Sequence, residues 1–192
     1  MDQASNSTAG VPFAAVPVAS SPKPSENERL VMELFEQFRN PLLRYALSLG
    51  IPVHDAEEIV QEVFLALFRH LQSGGSQRSL RGWMFRVTHN LALKRRSANQ
   101  RSQLRSGPGE ITLEEASDPS PNPEEQLSSV QRRRLLLAVV KALPTADQSC
   151  LRLRAEGLRY REIAAVLGMS LGAVSISLTR SLGRLIRADA KA

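Results

Sequence analysis

Side chains able to do chemistry fall into three groups in this chain, and the most informative group lies in a broken helix. The stretch YREIAAVLGMSLGAV, residues 160–174, has helical spacing that Gly168 interrupts and Ser170 restarts. Ala164 lies four residues before Gly168, and Val174 lies six after it. At such offsets a small residue lets two helices approach, a glycine takes the left-handed turn and a valine packs the second helix back onto the first. Ser170 is predicted to N-cap that second helix. A helix broken away from its neighbour in this manner can enter the major groove with its first residues against base edges. The same offsets fit an ordinary helical hairpin in a core, and the motif occurs in repressors, activators and recombinases alike.

The second group is basic. In LRGWMFRVTHNLALKRRSANQR, from Leu80, the apolar residues Leu80, Trp83, Met84, Val87 and Leu91 recur at helical spacing, while Arg81, Arg86, Lys94, Arg95 and Arg96 fall on other faces. The third is polar and acidic. Glu58, Gln61 and Glu62, with Leu65, lie outside the apolar stripe formed by Ile59, Val60, Val63, Phe64, Leu67, Phe68 and Leu71, and so remain available to a partner. Asp55, followed three residues on by Glu58, is predicted to N-cap this helix in a capping-box arrangement.

None of these groups is catalytic. The pair His54–Asp55 raises the idea of a metal-dependent phosphohydrolase, but only His70 and His89 remain, and neither sits with carboxylates at ligand spacing. No catalytic residue, metal ligand or cofactor-binding residue is expected, and the chain is read as not an enzyme. The single cysteine, Cys150, has no partner for an intramolecular disulfide; its neighbours Leu151 and Leu153 predict a core thiol, and the composition suits a reducing cytoplasm. No apolar run approaches the roughly 18 residues a membrane span needs, so no membrane insertion is expected. The segment 11–20, VPFAAVPVAS, has no positive charge before it and is divided by two prolines, unlike a signal peptide.

The elements that must carry these residues are helical. Aromatics are 5% of the chain and strand-like runs are nearly absent, so the expected fold class is all-α. The net charge of +6 is distributed in blocks: residues 63–109 carry nine Lys/Arg and no acid, residues 110–128 six acids and no base, and residues 129–192 twelve bases against four acids. Two basic blocks separated by an acidic connector predict two small helical domains joined by a flexible acidic linker, the C-terminal one with the helix-turn-helix. The boundaries expected are a disordered tail over 1–27, a first domain over 28–101, a Pro-rich acidic linker over 102–126, a second domain over 127–187 and a tail over 188–192. Pro41 is predicted to start or kink the second part of the first helix, and Gly50 to end it. Fully extended, the linker's roughly 25 residues reach about 80 Å, enough for two domains to hold DNA sites about two turns apart.

Taken together, DAEEIVQEVFLALF, GWMFRVTHNLALKRR and LPTADQSCLRLRAEGLRYREIAAVLGMSLGAVSISLTRSLGRL resemble three elements, in the same order, of the bacterial RNA polymerase sigma factors of the extracytoplasmic-function type. The resemblance spans 28–101 and 127–187. It implies an alternative sigma factor that binds core RNA polymerase and directs promoter-specific initiation in the cytoplasm. It implies that Glu58, Gln61 and Glu62 pair with the polymerase clamp helices. Asn90, with the loop 72–79, matches where relatives capture a flipped promoter base; Trp83 matches a wedge but has core spacing; Arg86, Lys94, Arg95, Arg96 and Arg101 are expected on phosphates of the minus-ten element. For the minus-thirty-five element it implies Leu171, Gly172, Ala173, Ser175, Ile176 and Thr179 near bases or sugars, with Arg180 and Arg184 on phosphate and Arg161 and Ser170 among the other DNA-binding residues of the helix-turn-helix. Relatives often carry a basic pair where this chain has Ser175 and Ser177, and an aromatic residue that the loop 72–79 lacks. An anti-sigma protein is a partner the family allows and no residue identifies. The alternative reading is a stand-alone helix-turn-helix regulator that binds an operator without polymerase.

Overall fold

The structure, a computed structural model, describes residues 25–106 and 123–190, and among these there are seven helices and no strand. The first unit contains α1 (Glu26–Ser48), α2 (Val53–Gln72) and α3 (Leu80–Ser106); the second contains α4 (Pro123–Lys141), α5 (Thr145–Ala155), α6 (Tyr160–Leu167) and α7 (Leu171–Asp189). Helices α3 and α4 both run into the ends of the acidic 102–126 stretch, and most of its acids lie outside the described residues. No single helix among the described residues is long and apolar enough to cross a membrane.

Helix α1 starts where a Ser-x-x-Glu pattern allows. The Glu28 N–H donates to Ser25 Oγ at 3.3 Å, and the Ser25 N–H donates to Glu28 Oε2 at 2.6 Å. The helix then runs on through Pro41, so no second helix starts there. A proline inside a helix removes one hydrogen bond. Here Leu34 and Phe38 before it and Leu42, Tyr45 and Ala46 after it all pack on the same core, which holds both halves in line. Gly50, at φ +80°, ends the element as expected.

Asp55 is not the N-cap of α2. Pro52 occupies that position with no side-chain cap, and Asp55 stands in the first turn. Its carboxylate is engaged by α3 instead: Arg95 Nη1 donates to Oδ1 and Asn99 Nδ2 to Oδ2, both at 2.8 Å. Two donors on another helix satisfy it better than one amide on its own, while its charge still complements the α2 dipole. The apolar stripe of α2 is buried as its spacing predicts, with Val63 and Leu67 fully enclosed. Each such side chain contributes roughly 1.5–3 kcal/mol relative to exposure. In the last turn of α2, His70 stacks on Trp83 with ring centroids 5.0 Å apart, and its Nε2 lies 3.1 Å from the Ser76 carbonyl oxygen. The end of the 72–79 loop is thereby tied to both flanking helices.

In the second unit the break at Gly168 has the anticipated form. Gly168 is left-handed, at φ +65°, and its N–H returns to the Ala164 carbonyl. Ser170 Oγ accepts from the Ala173 N–H at 3.1 Å, Val174 is fully buried, and the chain turns through 106° between α6 and α7. What holds α7 in that direction is a buried acid on α5. Asp147, 2% exposed, accepts from Ser177 Oγ at 2.7 Å and from Arg180 Nη2 at 2.6 Å. Ser177 therefore faces the core. It cannot be the counterpart of a basic DNA contact, because a Lys or Arg there would have to enter a closed interior.

The two units are packed on each other. Helix α6 lies on α3, α5 touches α1, and the buried residues of both units form one continuous cluster. Arg81 Nη2 meets Glu162 Oε2 at 2.8 Å, and Arg44 Nη2 meets Glu156 Oε2 at 2.8 Å. Gly82 permits the approach: a Cβ there would lie 3.0 Å from Ser79 Oγ and 3.3 Å from Glu162 Cγ.

Two outcomes follow for α7. Gly168→Val, forced into the left-handed region, is expected to destabilise the second unit by roughly 1–2 kcal/mol, read as a shift in the denaturant midpoint. Burial works to raise the Asp147 carboxyl, but the hydrogen bonds from Ser177 and Arg180 and the nearby guanidiniums outweigh it and hold the group below its ordinary 3.8. A depressed carboxyl stabilises the fold above its unfolded value, and that contribution is lost as pH falls through the lower folded value. Asp147→Asn is thus expected to lower the melting temperature at neutral pH and to leave a smaller further loss when the protein is taken below pH 3.8.

Candidate nucleic-acid interface

The leading face of α7 is built for contact. The cap at Ser170 and the 106° turn leave Leu171 47% and Ile176 66% exposed, large fractions for aliphatic side chains with no role in the core. Gly172, Thr179 and Arg184 are exposed beside them, and Ala173 and Ser175 are half-buried. Ser170 is exposed at the tip and Arg161 is exposed on α6. Arg180 differs from the others: two of its nitrogens go to Asp147, so it is fixed by an internal acid while half of it remains accessible. A guanidinium held in this way is pre-oriented, with donors to spare for a phosphate.

On α3 the polar residues divide into two sets. Arg86, Asn90, Lys94, Arg96 and Arg101 are exposed, and Arg101 Nε donates back to the Ser97 carbonyl at 3.1 Å. Arg95 is committed within the unit, donating to Asp55 Oδ1 at 2.8 Å and to Glu58 Oε2 at 2.9 Å. The acidic partners, Glu58 first among them, hold its guanidinium above the ordinary value. Trp83 is half-buried against His70 and the core, as its spacing predicts, and is not free to act as a wedge in this arrangement. Ten residues of helix separate Leu80, at the end of the loop, from Asn90, which at 1.5 Å per residue is about 15 Å; the chain does not bring the two together through α3.

On α2, Gln61 and Glu62 are exposed and flank the apolar stripe, while Glu58 is half-buried between Arg95 and His54, whose Nε2 lies 3.3 Å away. The acidic face and the basic helix are thus joined by one ion pair. Sequence reasoning did not reach this coupling, nor the contribution of Asp147, Glu156 and Glu162, each of whose partners lies on another helix. The one local signal was the Arg159–Glu162 spacing at the start of α6, where the Arg159 N–H donates to Glu162 Oε2 at 2.7 Å. Tyr45 was also hidden in the stripe of α1. Its hydroxyl lies 2.9 Å from His89 Nδ1, and burial pushes the phenol up and the imidazole down, so both are neutral at pH 7. In the packed arrangement the start of α7 is not clear of the first unit. Leu171, Gly172 and Ser175 share a cleft of about 770 Å³ with Ser79, at the end of the 72–79 loop.

Comparison with known proteins agrees with both halves. Sigma-70 region 2 matches residues 34–102 and Sigma-70, region 4 matches residues 133–185. The RNA polymerase sigma factor CnrH of Cupriavidus metallidurans is 30% identical over 176 residues, which cover 87% of this chain and 86% of CnrH. The ECF RNA polymerase sigma factor SigE of Mycolicibacterium smegmatis is 32% identical over 154 residues, 80% of this chain. The chain spans 59% of the length of SigE and 36% of that of the probable RNA polymerase sigma factor RfaY of Xanthomonas campestris pv. campestris. The fold is that of the sigma factor RpoE crystallised with the anti-sigma factor NepR from Bartonella quintana, with a TM-score of 0.61, 18% identity, and coverage of 83% of this chain and 96% of the other. With both sigma-70 regions present in order, and with CnrH matched along nearly its whole length, the chain belongs to the RNA polymerase sigma factors of the extracytoplasmic-function type.

Proposed function

We propose that this protein is an alternative sigma factor that binds core RNA polymerase in the cytoplasm, carries it to a class of promoters and starts transcription there, without catalysing a reaction of its own. The observation that carries this reading is the pairing, in one chain, of an α3 helix with exposed cations and an exposed Asn90 and an α7 helix whose apolar leading face is turned to solvent. A stand-alone operator-binding regulator has use for the second and none for the first.

In this reading residues 28–101 form the unit that grips polymerase and opens the minus-ten element, and 127–187 the unit that reads the minus-thirty-five element. Gln61 and Glu62 face the polymerase clamp. Glu58 joins them, and its bond to Arg95 links that contact to the DNA-opening helix. Asn90, whose amide both donates and accepts, suits an extruded base. Arg86, Lys94, Arg96 and Arg101 hold phosphates, whereas Arg95 positions α3 from within. On α7, Leu171, Gly172, Ser175, Ile176 and Thr179 meet bases or sugars, and Arg180 and Arg184 hold phosphate. The anti-sigma factor NepR, crystallised with the solved relative RpoE, supports an anti-sigma protein as a further partner. Reading both promoter elements at once requires α6 to leave α3, since the start of α7 otherwise faces Ser79.

Transcription in vitro with core polymerase and mapped start sites tests the reading: defined starts that depend on this chain are expected. Tight, specific duplex binding by the chain alone, with no stimulation of polymerase, would instead identify the stand-alone regulator. In the polymerase complex, Arg184→Gln is expected to weaken promoter binding uniformly across sequences and to reduce the slope of log affinity against log salt by about one.

A further inference from the structure

Arg152 on α5 is half-buried where the two units meet, and among the described residues no carboxylate pairs with it. Its Nη2 donates to the neutral Gln148 Oε1 at 2.9 Å. Burial, and further down the charge of Arg96, hold its guanidinium below the ordinary arginine value against a smaller opposing influence of Tyr45. Arg44, Arg81, Arg95, Arg132 and Arg180 each reach a carboxylate, whereas among the described residues neither Arg152 nor Arg96 forms an ion pair. A partly buried cation is costly without a counter-charge, and two facing one space add mutual repulsion.

That space is a cavity of about 610 Å³ walled by Arg96, Asn99 and Gln100 of α3 and by Thr145, Gln148 and Arg152 of α5, beside the turn that joins α1 to α2. Its volume lies within the range of small-molecule sites. Helix α5 begins on its wall. Pro144 supplies no side-chain cap there, and the one acid of the first turn, Asp147, is turned away to Ser177 and Arg180. Among the described residues the positive end of α5 therefore lacks a side-chain acceptor just where two guanidiniums without ion pairs face one space.

We propose that this cleft is a binding site for a small phosphorylated anion, its phosphate oxygens held between Arg96 and Arg152 at the start of α5. Guanidinium forks match phosphate geometry and bind it through paired, charge-assisted hydrogen bonds. A nucleic-acid backbone offers the same oxygens, and exposed Arg96 can meet one, but Arg152, half-buried on the α5 wall, favours a ligand small enough to enter the cleft. One arginine belongs to the first unit and the other to the second, so the ligand binds only when the units are packed and stabilises them in that state. The site goes beyond the sigma-factor reading and does not depend on it.

Calorimetric titration of the full chain with pyrophosphate, at constant ionic strength set by chloride, tests the proposal. Saturable binding is expected, weakened about tenfold or more by Arg96→Gln and by Arg152→Gln, since each removes charged hydrogen bonds worth roughly 1.5–3 kcal/mol. Arg152→Lys is expected to retain part of the affinity. Glu156→Gln, which breaks the pair with Arg44 outside the cleft, is expected to weaken binding by loosening the packing of the units. Arg29→Gln, at the far end of α1 from the cleft, should change nothing. Circular dichroism without ligand checks that each variant is folded, and Arg96→Gln, at an exposed position, carries the test if Arg152→Gln is not. Four results would overturn the proposal: no heat beyond that of matched chloride; an equal loss in Arg29→Gln, the mark of general surface charge; binding that appears only after Glu110, Glu114, Glu115, Asp118, Glu124 and Glu125 are changed to Gln, which would assign the cleft to the chain's own acids; or a short DNA duplex that needs Arg96 and Arg152 where pyrophosphate does not bind.

Discussion

The carboxylate of Glu162 joins the local structure of the helix-turn-helix to the arrangement of the whole molecule. It accepts the Arg159 N–H at 2.7 Å, which fixes where α6 begins, and it also receives Arg81 Nη2 at 2.8 Å and Ser79 Oγ at 3.2 Å from the first unit. Burial works to raise this carboxyl, but the three donors and the Arg81 charge outweigh it and hold it below the usual carboxylate value. The start of the helix-turn-helix and its seat on α3 are therefore set by one ionised group. A charge-assisted cluster has narrow angular tolerance, so α6 has little freedom while the cluster is intact. The direction of α7 follows, because Gly168 and Asp147 fix it relative to α6 and α5.

Features set by neighbouring residues were legible in the sequence. Gly168 takes the left-handed turn, Ser170 caps and Val174 packs because each acts within a few residues of its own position. The apolar stripe of α2 and the core location of Cys150 were legible for the same reason. Side chains that answer to a distant partner were not. Asp55 has the type and place of a cap, yet two donors forty residues or more away on α3 claim it. Ser177 stands where relatives often carry a basic residue, yet it donates to a buried acid on α5 and faces inward. Periodicity says which face of a helix is apolar; it does not say which polar residue on the border will find a buried counterpart.

The same distinction applies to the candidate interface. Its exposed members, among them Arg86, Asn90, Ile176 and Arg184, were expected from the family resemblance, and only Arg86 and its basic neighbours also from their place off the apolar face of α3. Arg95 and Arg180 look identical to them in the sequence but differ in the fold, since each is paired with an acid and orients a helix. The bond from Arg95 to Glu58 also means that the acidic face of α2 and the basic helix α3 do not respond independently. Anything that engages Glu58 alters what holds Arg95, while Asp55 keeps α3 in place.

Gly82 gives the packed arrangement an unusual sensitivity. The crowding that a methyl group would meet at this position comes in part from Glu162, on the other unit, and that part disappears when the units separate. A side chain at residue 82 thus bears at once on the seat of α6 on α3, through Glu162, and on the start of α3 itself, through Ser79.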